Sequence, residues 1–337
     1  MLAAPDTWPF VDPVKDRRVA LITGGSLGVG YYTVLHLYRH GYAVYIAGRS
    51  RSRVHKAITE VKHAAAALNR GDDKPRRVGE LHFLEVDLAL VELVLHAVDV
   101  FCRREARLHL LINNAGVIAL PYAVTQDGFE IQLQTNFISP FLLTTQLLPV
   151  LEATAAALAP EAAPRVIYLS LLGHKLALRY WLPALSFNYW PNVVFTWFRY
   201  ARAKAAGIHT VKMIAHRLPL VLLMAVHPGL VMNTNLFTNW TRLPIIGIVF
   251  WCLFQIFGWL FGVTAEEGAS ATIRCCLDPL LTPATDNGAY FAKGERLEAN
   301  HVALLMTYAA ETWAWTVLEL ALRGISAPLA PPRPKDL

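Results

Sequence analysis

Tyr200 and Lys204 are the residues whose types and spacing offer chemistry. They stand four apart, so on a helix they share a face. A phenol with an ordinary pKa of ~10 is a poor base at neutral pH. An ammonium beside it favours the phenolate and lowers that pKa. A phenol tuned in this way can take a proton from an alcohol or return one to a carbonyl. The pair alone says little, because any amphipathic helix can carry Tyr and Lys four apart. Its meaning rests on the elements that hold it.

The first of these elements is Val19-Ala20-Leu21-Ile22-Thr23-Gly24-Gly25-Ser26-Leu27-Gly28-Val29-Gly30, followed by helical spacing from Tyr31 to Arg39. A strand, a glycine turn and a helix in succession aim free backbone N–H groups and the positive end of a helix at a phosphate. Gly24, Gly28 and Gly30, with Ser26 and Leu27 between them, are the predicted phosphate cradle. The G-x-x-x-G-x-G spacing differs from the G-x-G-x-x-G of most dinucleotide folds. A second strand, Ala43 to Ala47, runs into Gly48-Arg49-Ser50-Arg51-Ser52-Arg53. An acidic residue is expected there if a ribose with a free 2′-OH is to be bound. Arg49 stands in that region instead, and a guanidinium pairs with a 2′-phosphate through two parallel hydrogen bonds. The residues therefore favour NADP(H) over NAD(H).

Further strands are predicted at Leu81 to Val86, Leu108 to Ile112, Val166 to Ser170 and Leu220 to Val226, with a short edge strand at Ala289 to Phe291. Helices alternate with them: Val54 to Leu68, a segment ending near Arg104, Asp127 to Leu151 (capped by Asp127 and interrupted near Pro140), Phe198 to Leu218, and Glu266 to Cys276. This alternation implies a doubly wound α/β fold, a parallel sheet with helices on both faces. Ligands in such sheets sit at the C-terminal strand ends, where Thr23, Arg49, Asp87 and Asn114 fall.

The chain is 55% hydrophobic and 17% charged, with a net charge of +6. That excess of apolar residues has to be buried in a core, a partner or a membrane. The modest basic bias suits an anionic membrane surface or a phosphate cofactor. Neither a nucleic-acid signature nor metal-ligand spacing is present, so neither partner is expected. Cys102, Cys252, Cys275 and Cys276 make no disulfide-like pattern, which fits a reducing compartment. Residues 1–16 read as an extension without the apolar core of a signal peptide.

Taken together, these motifs resemble the short-chain dehydrogenase/reductases, in the retinol-dehydrogenase-like branch. The matching pieces are the glycine turn, Ala47-Gly48-Arg49, Val86-Asp87-Leu88, Asn113-Asn114-Ala115-Gly116, Asp127-Gly128-Phe129-Glu130 and Asn136. Tyr200-Ala201-Arg202-Ala203-Lys204, His227-Pro228-Gly229, Glu266-Glu267-Gly268-Ala269 and Leu277-Asp278-Pro279 complete the set in the family's order. The opening residues, Phe10-Val11-Asp12-Pro13, look closest to fungal members associated with lipid droplets and endomembranes.

The resemblance implies a Rossmann-like sheet of seven strands, an apolar helical lid at 240–264 and one domain over residues 17–300. A C-terminal helix at 301–327 and a disordered tail at 328–337 follow. It implies that Tyr200 exchanges the proton while hydride moves at a nicotinamide, that Lys204 also holds the nicotinamide ribose, and that Asn136 places a water in a proton relay. Asp87 would receive the adenine amine, Asn114 would line the cofactor, and Val231 and Thr234 would meet the nicotinamide end. The family's serine pair after the fifth strand is here Ser170-Leu171, and leucine donates no hydrogen bond. Ser170 can polarise the substrate, or His174 or Lys175 can substitute.

Leu243 to Val263 carries no formal charge over 21 residues, about the length of a membrane span. Both flanks carry motifs of one sheet, so an interfacial helix pair that dips into lipid and opens the pocket toward it is favoured. A buried lid, a homodimer contact and a true span are the alternatives. A second apolar stretch, His301 to Arg323, reads either as an anchor or as a helix packed on the core. The expected activity is NADP(H)-dependent interconversion of alcohol and carbonyl groups on a lipophilic substrate (sterol, retinoid or long-chain lipid). The expected location is a lipid droplet or the cytosolic face of the endoplasmic reticulum. The alternative is a catalytically weak regulator or structural protein of the same fold.

Overall fold

A computed structural model describes residues 5–70, 76–158, 162–170, 187–229, 231 and 262–326. Eight strands form one sheet: β1 (Val19–Thr23), β2 (Ala43–Gly48), β3 (Glu80–Glu85), β4 (Leu110–Asn113), β5 (Arg165–Leu169), β6 (Leu222–His227), β7 (Ala289–Ala292) and β8 (Glu295–Leu297). Their order is β3-β2-β1-β4-β5-β6-β7-β8. Every pairing is parallel except β7 with β8. The sheet therefore has one strand more than the seven expected, and β7 is not an edge. Lys293 and Gly294 turn the chain with positive φ, and β8 comes back antiparallel along β7.

Among the described residues the long helices are α1 (Gly28–Arg39), α2 (Arg51–Asn69), α3 (Val91–Arg104), α4 (Ser139–Ala156), α5 (Asn192–Arg217), α6 (Ala265–Leu277) and α7 (Met306–Ala321). Successive strand residues point to opposite faces, and the core divides accordingly. Val19, Leu21, Leu111, Val166 and Leu223 join Phe101, Phe141, Val211 and Trp313 on the α3/α4/α5/α7 side. Ala20, Ile22, Leu110, Ile112 and Met224 join Val34, Leu37, Val61 and Ile273 on the α1/α2/α6 side. Both faces are covered, which is why the strands read as continuous apolar runs.

The chain leaves β1 outward to β2 and β3, then returns to β4 on the other side. That reversal opens a crevice at the C-terminal ends of β1 and β4. The glycine turn and Asn114 both lie there.

The segment around Asn136 departs from the expected single helix. A short turn, Ile131–Leu133, is capped by Glu130, whose carboxylate accepts from Leu133 N at 2.8 Å. A π-helical turn, Gln134–Ile138, leads into α4, and Pro140 sits in that helix's first turn rather than breaking it. Asp127 is not this helix's cap. Its carboxylate accepts from Val91 N at 2.8 Å, at the first residue of α3. Helix α5 starts six residues before the expected Phe198, at Asn192.

Trp313 is buried and α7 packs along α5, so the C-terminal helix is part of the core. Among the described residues one helical stretch, Ile131–Ala156, is long and apolar enough to cross a membrane, and 72% of its apolar window is buried inside the protein. It is a core helix by that burial. Of the apolar segment 243–263, only the last two residues lie within the described residues, as does none of the tail from Pro328.

Candidate active site

The glycine turn is built by backbone geometry. Gly24 and Gly28 have φ of +69° and +58°, conformations that favour glycine. At Gly30 the reason is space: a Cβ would stand 2.4 Å from Gly24 O and 2.6 Å from the Asn114 side-chain nitrogen. Leu27 is the N-cap of α1 and supplies no side-chain cap, so the first N–H groups of the helix keep no internal partner. These are the free donors that an anionic group requires.

Asn114 ties the turn rather than facing outward. Its Nδ2 donates to Thr23 O at 2.8 Å and Gly24 O at 3.0 Å. Thr23 answers from β1, its hydroxyl accepting from Asn114 N at 3.1 Å and Ala115 N at 3.0 Å. The amide nitrogen of the residue expected to line the cofactor thus ties the carbonyls of the turn. Thr23 is the partner that motif spacing leaves unassigned.

Arg49 and Asp87 face each other across the ends of β2 and β3, with Nη1 and Oδ2 3.8 Å apart. The arginine side chain is 70% exposed. The other Asp87 oxygen accepts from Ala89 N at 2.9 Å. The two residues stand together at the crevice, as their sequence positions predict.

Tyr200 and Lys204 lie on α5 as expected, both deeply buried at 4% and 7% exposure. The ammonium is 5.6 Å from the centre of the tyrosine ring and donates to Leu169 O at 2.8 Å. Burial disfavours charge on either group. It lowers the Lys204 pKa to about 8 and pushes the Tyr200 phenol up rather than down. The expected lowering by the ammonium is therefore outweighed by desolvation in this environment. The Tyr200 hydroxyl makes no hydrogen bond among the described residues.

Asn136 reaches the same place from the π-helical turn. Its side chain holds both backbone groups of one residue: Oδ1 accepts from Val117 N and Nδ2 donates to Val117 O, both at 2.8 Å. Single π turns within helices recur at functional sites. Gly116 is the crossing point, since a Cβ there would lie 2.8 Å from Asn136 Oδ1 and 3.5 Å from Lys204 Nζ. A larger residue there would press on the Asn136 amide, which approaches Gly116 more closely than Lys204 does.

Ser170 follows Leu169, whose carbonyl holds Lys204. Its backbone N donates to Val226 O at 2.7 Å, while its buried hydroxyl has no hydrogen-bond partner among the described residues. A buried, unsatisfied hydroxyl costs ~1–3 kcal/mol, which a ligand atom can recover. Val231 pairs with Val263, and Gly229, at φ +97°, leaves no room for a Cβ beside Val263. Leu171, His174, Lys175 and Thr234 lie outside the described residues.

Comparison with known proteins accounts for this arrangement. Residues 18–158 match the family model described as short chain dehydrogenase. A short-chain dehydrogenase/reductase of Aspergillus calidoustus, drtF, is 32% identical over 94% of this chain and 98% of its own length. The chain belongs to the short-chain dehydrogenase/reductase family. Within it, human polyprenol dehydrogenase is 30% identical over 90% of this chain and 86% of its own. Human retinol dehydrogenase 14 is 30% identical over 88% and 84%. These relatives put this dehydrogenase/reductase in the retinol-dehydrogenase-like branch.

Enzymes of this family use a nicotinamide cofactor, and the residues present fit one. The turn closes over Gly30 only because no Cβ stands against Gly24 O, and the start of α1 that it presents is uncapped by any side chain. Ser170 keeps an orphaned hydroxyl at the far end of the crevice.

Proposed function

We propose that this dehydrogenase/reductase interconverts alcohol and carbonyl groups on a lipophilic substrate, using NADP(H). The observation that carries the proposal is the convergence of a buried phenol, a buried amine and an unsatisfied hydroxyl at the end of β5. The bound cofactor supplies or accepts the hydride. In the reducing direction the neutral Tyr200 phenol, favoured by burial, gives its proton to the carbonyl oxygen. Ser170 Oγ donates a hydrogen bond to that same oxygen as it gains charge. Lys204, held by Leu169 O, stabilises the phenolate left behind. Asn136 keeps the Val117 peptide in place beside them.

Arg49 supports NADP(H), because a guanidinium at the end of β2 is free to meet a 2′-phosphate while Asp87 meets the adenine. The lipophilic class is supported by the apolar 243–263 segment in the sequence and by relatives named for polyprenol and retinol. The same segment supports attachment to a lipid droplet or to the cytosolic face of the endoplasmic reticulum. Deleting it should release the expressed protein from floating droplets.

Consumption of NADPH with all-trans-retinal or a long-chain aldehyde, by wild type and by Tyr200→Phe, tests the activity. A rate in wild type that the variant lacks supports it, and equal background rates refute it. A second reading, a weak or inactive regulator, is motivated by Leu171 in place of the family's serine. Leu171→Ser should then raise turnover, whereas under the catalytic reading it leaves the rate within a few-fold.

A further inference from the structure

Arg199 immediately precedes the catalytic-candidate tyrosine, so on the helix its side chain points about 100° away from Tyr200. It is completely buried. Nη1 donates to Phe187 O at 3.0 Å and to Asn192 Oδ1 at 3.1 Å. Nη2 donates to Leu120 O at 3.2 Å. Nε lies 3.4 Å from Glu130 Oε1.

These partners come from different segments. Leu120 belongs to the chain leaving β4, downstream of Gly116 and Val117. Phe187 belongs to the connection between β5 and α5. Glu130 caps the turn that leads to Asn136. A second layer locks the first. Leu120 O also accepts from Thr196 Oγ1 at 2.9 Å, and Gln132 joins Thr196 Oγ1 (3.0 Å) to Ala119 N (3.1 Å). Ala119 is held at φ +59°, a left-handed conformation that alanine does not adopt unaided. Each segment also lays an aromatic ring against an arginine: Tyr122 is 5.6 Å from the Arg199 guanidinium, and Phe187 is 5.6 Å from that of Arg202.

We infer that Arg199 is a positioning residue, one guanidinium that fixes the two connections flanking Tyr200 against the helix that carries it. The inference rests on the catalytic reading of Tyr200. A patch serving stability alone is better filled by apolar side chains, because a buried ion pair seldom recovers its desolvation cost. Here the cost is doubled. Arg202 is also buried, among the described residues its Nε and Nη1 lack hydrogen-bond partners, and the same Glu130 carboxylate acts on both arginines. Arginine suits the task because its fork reaches three acceptors in fixed directions, which a lysine ammonium does not.

The test compares wild type, Arg199→Ala and Arg199→Lys. Amide hydrogen exchange should quicken at least tenfold over 119–122 and 187–192 in Arg199→Ala and remain unchanged over 21–30. The KM for all-trans-retinal should rise about tenfold and kcat fall about tenfold, while the NADPH dissociation constant stays within twofold. Arg199→Lys keeps the charge beside Glu130 but loses one of the two connections, so it should show the same signs at smaller size. It also serves as the reading if the alanine variant does not fold. Unchanged exchange in both connections overturns the inference, as does an equal loss of NADPH and retinal binding. If wild type turns over no carbonyl probe, the catalytic reading fails, and the exchange comparison alone decides whether Arg199 holds the connections.

Discussion

The two ends of the crevice are built on different principles. The end proposed for the cofactor, from the glycine turn to Arg49 and Asp87, is made of backbone: positive φ at Gly24 and Gly28, a Gly30 with no room for a Cβ, and carbonyls tied by Asn114. Its one charged pair is open to water at 3.8 Å. The catalytic end is made of buried side chains. Tyr200, Lys204, Asn136 and Arg199 all lie below 9% exposure, and burial has moved the charge equilibria of the tyrosine, the lysine and the arginine. An exposed charge selects a ligand weakly and in a salt-dependent way. A buried one is sensitive to every neighbour, because desolvation and not solvent sets its state.

The contrast can be broken at its strongest point first. Tyr200→Phe keeps the packing and removes the proton, so kcat should fall by about 10²- to 10⁴-fold, read as NADPH consumption with a lipophilic aldehyde. Cofactor affinity should be nearly unchanged. Gly30→Ala attacks the other end. Its Cβ would press on Gly24 O and Asn114, costing stability by roughly 1–3 kcal/mol and opening the cradle. NADPH fluorescence titration should show binding reduced at least tenfold, with thermal unfolding moved down. Wild-type binding would mean that the turn is not the cradle.

Arg49→Ala should weaken NADPH by about ten- to a hundredfold, the range of a charge-assisted hydrogen bond, and NADH much less. The loss should shrink as salt rises. Equal losses for the two cofactors would remove the 2′-phosphate argument.

The smallest effect concerns pH. Lys204 titrates near 8 in the fold instead of 10.5. Between those values the unfolded chain binds more protons, so this residue's contribution to stability rises with pH through the window and is lost as pH falls below 8. The stability advantage of Lys204→Met over wild type should therefore narrow from pH 7 to pH 9.5 in paired unfolding measurements. In wild type kcat/KM should decline above about pH 8 as the ammonium is lost, and Lys204→Arg should move that limb upward. A pH-independent gap would mean that burial does not govern the amine.

Much of the fold was legible because its signals are local. Strands β1, β2 and β4 to β6 announce themselves as apolar runs, and their ends fall within one or two residues of the expectation. Glycine spacing marked the cradle, and Arg49 and Asp87 met where strand ends predict. What was not legible depends on contacts across the chain. Asp127 caps α3, 36 residues upstream, and not the helix it introduces. Asn114 looks like a ligand residue until Thr23 O is found beneath it. Arg199 sits next to the most recognisable residue in the chain, yet two of its acceptors are backbone carbonyls, which carry no side-chain signature, and Glu130 reaches it only through the fold.

By itself the sequence determined seven of the eight strands and their succession along the chain, the glycine turn after β1, and the pairing of a phenol with an amine one helical turn away. Periodicity and glycine positions act over a few residues, so they survive without coordinates. The charge states of Tyr200 and Lys204, the approach of Asn136 to Gly116, and the hydrogen bonds of Arg199 were decided by tertiary structure alone. Desolvation and long-range hydrogen bonds exist only once distant segments have closed around a site.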